Sequence, residues 1–125
     1  MSVQLNHTIV HTRDNRASAE FLGGILGLVP GETWGPFVPL DLANGVTLDF
    51  VSTDIDFPVQ HYAFLVSEAE FDGIFARITE AGVTYYPSPR LDNPGHINRN
   101  DGGRGMYFLD PNGHAMEVIT KPYGG

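Results

Sequence analysis

Cysteine is absent from this chain of 125 residues, and basic residues are scarce. Without cysteine the protein has no disulfide, no thiolate ligand for zinc and no cysteine nucleophile. Seven Lys and Arg against fifteen Asp and Glu give a formal net charge of −8. This charge argues against nucleic acid, whose phosphates favour a basic surface, and against an anionic membrane surface. A metal ion, or a neutral or cationic ligand, fits the charge better.

Long hydrophobic runs are also missing from the sequence. No apolar stretch approaches the roughly 20 residues that span a bilayer, and the first residues lack the apolar core of a signal peptide. We therefore expect a cytoplasmic location and no membrane partner. Hydrophobic residues still make up 42% of the chain, which is enough to bury a core.

An internal repeat appears when His7 is aligned with His61. Each copy starts as a strand with alternating faces and continues into a helix that ends at a glycine, Gly27 or Gly82. Later in each copy, an Asn-Gly pair that is typical of a hairpin turn precedes another alternating strand. The two copies therefore share one order of elements.

Helix boundaries can be predicted from capping residues. Asp14 is suited to the N-cap of the first helix, and Ser67 with Glu70 forms the capping-box pattern of the second. The second helix then carries one apolar stripe at helical spacing, made of Phe71, Ile74, Phe75 and Ile78.

These patterns predict an α+β fold made of two βαβββ modules, 3–52 and 59–120, within a single domain 1–125. The two further strands of each module are expected at 28–34 and 37–43, and at 83–87 and 105–109. The second module is longer because of segment 88–104, which is polar and rich in Gly and Pro. We expect this segment to be a mobile loop that covers the site as a lid.

Strand parity places four titratable residues at matching positions of the repeat. His61 lies on the strand face opposite Tyr62 and Phe64, and His7 shares its face with Ile9 and His11. Asp49 and Glu117 each stand between two apolar neighbours, so all four residues are expected on the sheet face away from the helices. If the modules pack around a pseudo-twofold axis, two imidazoles and two carboxylates converge. Such a set suits Fe(II), Mn, Ni, Co or Zn. The alternative is that these are solvated strand residues, and Asp49 is the weakest ligand candidate because its side chain is short.

The segments LNHTIVHTRD, QHYAFLVSE and RGMYFLDPNGHAMEVI resemble the vicinal oxygen chelate superfamily, also called the glyoxalase/bleomycin resistance/dioxygenase superfamily. The resemblance implies an incomplete barrel around a divalent metal ion with His7, His61 and Glu117 as ligands. Metal-dependent glyoxalases have a further Glu where this chain has Asp49. The resemblance also implies a homodimer, in which modules pair within one chain or swap between chains.

Further site residues are expected around the metal. The segment that contains Tyr107 is similar to the end of the extradiol dioxygenase signature, whose Tyr lies in the active site and whose upstream His corresponds to His96. His11 shares the inner face with His7 and is suited to moving a proton or contacting substrate. A second set of residues is expected to contact the substrate: Trp34, Phe37, Phe50 and Arg104.

Three functions remain open from the sequence, and a fourth, thiol transfer to an epoxide antibiotic, is less favoured because few basic residues are available to bind a phosphonate. The leading expectation is a metal-dependent enzyme that carries out extradiol dioxygenation of a catechol-like compound, because the metal would chelate two neighbouring substrate oxygens. A glyoxalase-like lyase that acts on a 2-oxoaldehyde adduct is the first alternative. A metal-free protein that binds a cationic drug is the second, and the charge of −8 would suit it.

Overall fold

The computed structural model describes residues 2–123, and the chain divides into two compact units between Pro58 and Val59. Each unit is an α+β module, as the sequence predicts. Among residues 2–123, neither helix has the length and apolar character that a membrane span requires.

The first unit contains one helix and a three-stranded sheet. Its elements are β1 (His7–Thr12), α1 (Asn15–Leu26), β2 (Phe37–Asp41) and β3 (Thr47–Ser52). The strand order is β1-β3-β2, with β1 parallel and β2 antiparallel to the central β3.

The second unit repeats this arrangement. Its elements are β4 (His61–Leu65), α2 (Glu68–Glu80), β5 (Gly105–Leu109) and β6 (Ala115–Ile119), with a short 3-10 helix at Asn100–Gly102. The strand order is β4-β6-β5, and the central strand β6 is parallel to β4 and antiparallel to β5. The repeat predicted from sequence is therefore present in the order and the pairing of the strands.

The helix boundaries agree with the capping pattern. Asp14 accepts a hydrogen bond from the Ala17 amide at 3.0 Å, and Gly27 ends α1 with φ 81°. In α2, Ser67 and Glu70 exchange the two hydrogen bonds of a capping box. Glycine is needed at position 27 because a left-handed backbone is strained for residues with a Cβ.

The apolar stripe of α2 is confirmed. Phe71, Ile74 and Ile78 are buried, and Phe75 is half-buried with its ring edge against Tyr85 at 5.2 Å. Helix α1 packs on all three strands of its own sheet.

Two of the expected strands are reduced to single bridges. Segment 28–34 pairs only at Trp34 with Phe37, and segment 83–87 pairs only at Tyr86 with Tyr107. Prolines explain the difference, because Pro30 and Pro87 have no amide hydrogen to donate to a ladder. Each unit thus has three regular strands where four were expected.

Segment 88–104 is tied to the second unit at several points. Asn98 pairs with Gly105 through two backbone hydrogen bonds, its side-chain amide donates to the Pro87 carbonyl, and the Gly95 amide donates to the Tyr85 carbonyl. These bonds give the segment a defined path, and its role as a lid stays a prediction.

The turn before β6 is structural, as expected from the sequence. One Asp110 oxygen accepts hydrogen bonds from the backbone amides of Asn112 and His114 at 2.9 and 2.8 Å. His114 is fully buried, and its Nδ1 accepts from the Gln60 amide at 2.9 Å. The buried imidazole thereby fixes the chain directly before β4.

The capping box predicts a pH dependence of stability. Hydrogen bonds from the Ser67 backbone and side chain lower the pKa of Glu70 below its ordinary 4.5. A lowered folded-state pKa stabilises the protein above pH 4.5, and this contribution is lost as the pH falls through the lower folded-state value. We expect Glu70→Gln to lower the urea midpoint at pH 7, and this deficit to shrink towards pH 3.

The matched control is Glu80→Gln, which removes the same charge at the other end of α2. The helix dipole does not favour a carboxylate at the C-terminal end of a helix, so this control should show no deficit. An equal, pH-dependent deficit in Glu80→Gln would contradict a specific role of the capping box.

His114→Phe should destabilise the protein because phenylalanine fills the space but cannot accept the Gln60 hydrogen bond. The contact is part-buried and Gln60 is exposed, so we expect loss of this hydrogen bond to lower the free energy of unfolding in urea by about 0.5–1.5 kcal/mol. The exposed His96 supplies the control, since His96→Phe should change stability by no more than about 0.5 kcal/mol. Wild-type stability of His114→Phe would contradict a structural role.

Candidate metal centre

The second unit brings His61 and Glu117 together. They lie on the parallel strands β4 and β6, where His61 is paired with Ala115 and Ala63 with Glu117. Side chains two residues apart on a strand share one face, so both point away from the apolar side. The Nε2 atom of His61 lies 3.0 Å from Oε1 of Glu117. Two of the predicted ligands are thus adjacent.

Glu117 is a buried carboxylate, with only 1% of the residue exposed, whereas the His61 side chain is 48% exposed. A buried charge is stable only when hydrogen bonds or a cation compensate it. Here the Tyr123 hydroxyl donates to the carboxylate, at 2.8 Å from Oε1 and 2.6 Å from Oε2. The site therefore favours a positive partner next to the carboxylate.

The hydrogen bonds of both predicted histidine ligands leave Nε2 as the metal-binding atom. Nδ1 of His61 lies 3.1 Å from the Ala115 carbonyl, and Nδ1 of His7 lies 2.8 Å from the side-chain oxygen of Asn6. A backbone carbonyl oxygen can only accept, so Nδ1 of His61 is the donor in its contact, and the Asn6 side-chain oxygen suits the same tautomer of His7. This outer hydrogen bond is typical of histidines that bind metals.

The distance between His61 Nε2 and Glu117 Oε1 is compatible with both atoms binding one metal ion. When Glu117 is ionised it can only accept, so a proton or a cation must lie between Nε2 and Oε1. Their separation of 3.0 Å also matches the distance of about 3 Å between neighbouring ligands of an octahedral ion held at ~2.1 Å. The separation of this pair is therefore compatible with two neighbouring ligands of one divalent ion.

Two tyrosines surround the carboxylate. Tyr107 is paired with Glu117 across β5 and β6, its ring stacks on His61 at 5.9 Å, and its hydroxyl lies 3.4 Å from that of Tyr123. Burial, followed by the bonds to Tyr123 and Glu117, raises the pKa of Tyr107. The hydrogen bond to Glu117 raises the pKa of Tyr123. Both hydroxyls are therefore proton donors at neutral pH.

Tyr123 was missed by the sequence analysis. It lies beyond the predicted second module, which ends at residue 120, and outside every motif. Only a weak feature of the sequence could have suggested a role for Tyr123 in the site. Its ring carries a hydroxyl, and it follows Pro122 six residues after the predicted ligand Glu117.

The first unit carries the remaining predicted ligands. His7 is exposed on β1, and Asp49 is half-buried on β3, where it is paired with Ile9. This register is equivalent to that of Ala63 with Glu117 in the second unit. Within residues 2–123 no group of three His, Asp or Glu side chains forms a complete metal site. His7 and Asp49 as ligands therefore stay predictions.

The other predicted site residues have varied surroundings. The ring of His11 is exposed and stacks on Phe57 at 5.8 Å. Trp34 is 71% exposed and stacks on Phe37 at 6.0 Å. His96 is exposed within segment 88–104. Their roles towards a substrate stay predictions.

Phe50 and Arg104 differ from what was expected. Phe50 is fully buried, because it alternates with Asp49 on β3 and faces the apolar core. We therefore leave it out of the candidate site. The Arg104 guanidinium binds Glu68 at 2.8 Å and Asp72 at 2.9 Å and lies 4.4 Å from the centre of the Phe71 ring. These contacts give it a structural role, and substrate binding by Arg104 stays a prediction.

No protein-family model matches the chain. Among curated proteins it is similar to glutathione transferase FosA of Serratia marcescens, with 31% identity over 143 aligned positions that cover all of this chain and 94% of the relative. It is also similar to metallothiol transferase FosB of Lysinibacillus sphaericus, with 32% identity over 96% of this chain and 84% of the relative.

Two solved structures extend the comparison. The chain is similar to oxidase ChaP-H2, with a TM-score of 0.96 and 57% identity over 100% of this chain and 98% of the other. A glyoxalase/dioxygenase from Nostoc punctiforme matches with a TM-score of 0.71 and 24% identity over 96% and 92% of the two chains, which concerns the fold alone. This match confirms the expected glyoxalase-like fold class. The relatives FosA, FosB and ChaP-H2 are named as enzymes, which confirms the expectation that this protein is an enzyme. The chain belongs to the vicinal oxygen chelate superfamily.

Proposed function

We propose that this protein is a metal-dependent dioxygenase that acts on a small molecule with two neighbouring oxygen atoms. The leading reaction is ring-opening dioxygenation of a catechol-like compound. The observation that carries the proposal is the adjacent pair of His61 and the buried Glu117, at 3.0 Å. Similarity to oxidase ChaP-H2, at 57% identity over the whole chain, supports oxygen chemistry in particular.

The metal would be held by His7, His61 and Glu117, with Fe(II) as the ion that suits two imidazoles, one carboxylate and open positions. A bound divalent ion would act as a Lewis acid on the two substrate oxygens. Ni, Zn and Mn remain possible ions for the same donor set. The name of the FosB relative, a metallothiol transferase, also supports metal dependence.

The chain's own residues would orient the substrate and handle its protons. The Tyr107 hydroxyl is a protonated donor near Glu117, because its raised pKa prevents ionisation at neutral pH. His11 would accept a proton from the substrate, and His96 is a second candidate for this step. Trp34 and Phe37, which stack and are partly exposed, would contact an aromatic substrate through their ring faces.

A second candidate function is thiol transfer, which is favoured by the similarity to the glutathione transferase FosA at 31% identity. The net charge of −8 argues against it, because glutathione is itself an anion. A glyoxalase-like reaction would require Asp49 as an additional ligand or base. A metal-free drug-binding protein would not need His61 beside a buried carboxylate. We propose a homodimer as the assembly in each case.

Metal retention tests the ligand set. We expect the wild-type protein, reconstituted with Fe(II) without oxygen and desalted, to keep about one ion per chain. His7→Ala, His61→Ala and Glu117→Ala should each lose most of this metal, whereas His96→Ala, an exposed histidine of the loop, should keep it. Metal content is measured by atomic emission, and folding is checked by circular dichroism. Full metal content in Glu117→Ala would refute the assignment.

A substrate screen tests the reaction. With Fe(II) bound, oxygen uptake is expected with catechol-type substrates, together with absorbance of a ring-opened product, and should fall at least ~100-fold in His61→Ala. Turnover of a hemithioacetal without oxygen uptake would favour the glyoxalase reading. Consumption of glutathione with an electrophile would favour thiol transfer.

A further inference from the structure

We infer that Tyr123 is a positioning residue, whose hydroxyl holds the Glu117 carboxylate in the orientation that presents Oε1 to the metal beside His61. This inference rests on the proposed function, because it assumes that Glu117 is a metal ligand. It adds a residue outside the two predicted modules to the machinery of the site.

The segment that carries Tyr123 is anchored directly after β6. The Thr120 amide donates to the Arg104 carbonyl at 3.0 Å, and the Thr120 hydroxyl accepts from the Arg104 amide at 2.8 Å. The Arg104 side chain is in turn bound to Glu68 and Asp72 of α2. The start of the segment is thus tied to the body of the second unit, and Tyr123 follows three residues later.

The path of this segment is tightly constrained where it passes β5. A Cβ on Gly103 would lie 2.6 Å from side-chain atoms of both Thr120 and Lys121. Since real Cβ atoms do not approach other heavy atoms so closely, a glycine is required at this point. The backbone at Gly103 therefore packs closely against Thr120 and Lys121, at the start of the segment that carries Tyr123.

The hydroxyl of Tyr123 contacts both oxygens of Glu117, at 2.6 Å to Oε2 and 2.8 Å to Oε1. A glutamate has three side-chain torsions, so a free carboxylate can rotate and tilt in a cavity. Contacts to Tyr123 on one side and to His61 Nε2 on the other restrict this rotation. Oε1 is the oxygen that lies 3.0 Å from the imidazole Nε2, and Oε2 has the shorter contact with Tyr123.

Tyr107 extends this arrangement by one residue. Its hydroxyl lies 3.4 Å from the Tyr123 hydroxyl, and its ring stacks on His61. The Tyr123 hydroxyl therefore lies between the carboxylate and the buried phenol of Tyr107, while Tyr123 itself is 49% exposed. Hydrogen bonds of this kind to a ligating carboxylate typically change metal affinity by 10–100-fold when they are removed.

The test is Tyr123→Phe, which removes the hydroxyl and keeps the ring. Co(II) serves as the probe, and its dissociation constant is measured by competition with a chelating dye. We expect the dissociation constant to rise about tenfold and the visible absorption of bound Co(II) to change, because the carboxylate is no longer held in one orientation. Tyr85→Phe is the matched control, since its ring packs on Phe75. It should leave both readouts unchanged.

A second variant covers the case in which Tyr123→Phe does not fold. Thr120→Val removes the acceptor for the Arg104 amide and loosens the segment, while every residue that touches Glu117 remains. It should weaken Co(II) binding in the same direction by a smaller factor.

The outcomes separate this inference from the proposed function. If Glu117→Gln abolishes Co(II) binding but Tyr123→Phe binds it as tightly as the wild-type protein, or more tightly, Tyr123 does not position the ligand and the metal site survives. If the wild-type protein does not bind Co(II), or if Glu117→Gln binds it unchanged, both ideas are wrong.

Discussion

The buried carboxylate of Glu117 is the constraint on which the candidate site depends. An ionised carboxylate that is only 1% exposed must be compensated, and three aromatic side chains of the second unit are arranged around it. His61 and Tyr123 contact it directly, and Tyr107 contacts Tyr123. Every residue of this set is placed by a strand or by an anchored segment. The same arrangement explains why Tyr107 and Tyr123 keep their protons and why a cation is favoured at Oε1.

The repeated module provides the framework for this chemistry. In both units the strand that carries the histidine runs parallel to the strand that carries the carboxylate, with the same register. The helices are defined by local signals such as the capping box of Ser67 and Glu70. The two modules differ in the burial of this carboxylate. Glu117 is buried and accepts a hydrogen bond from Tyr123, whereas Asp49, at the equivalent position, is half-buried.

Basic residues are few, and two of them act as structural anchors. Arg13 donates to the carbonyls of Thr53 and Ile55 at 2.8 Å each and lies over the ring of Phe57, which fixes the segment after β3. Arg104 binds two acidic residues of α2 and, through its backbone, the segment that leads to Tyr123. A chain with a net charge of −8 thus uses two of its seven basic residues to stabilise its own structure.

The sequence by itself determined the features that depend on local periodicity and on the repeat. These include the two modules, the caps at Asp14 and Ser67, the helix stop at Gly27 and the face on which His61 and Glu117 lie, because side-chain alternation follows directly from residue order. Only the tertiary structure decided which side chains meet. It buried Phe50, tied Arg104 to α2 and brought Tyr123 back to Glu117. These outcomes depend on hydrogen bonds and contacts between distant parts of the chain, which no local pattern encodes.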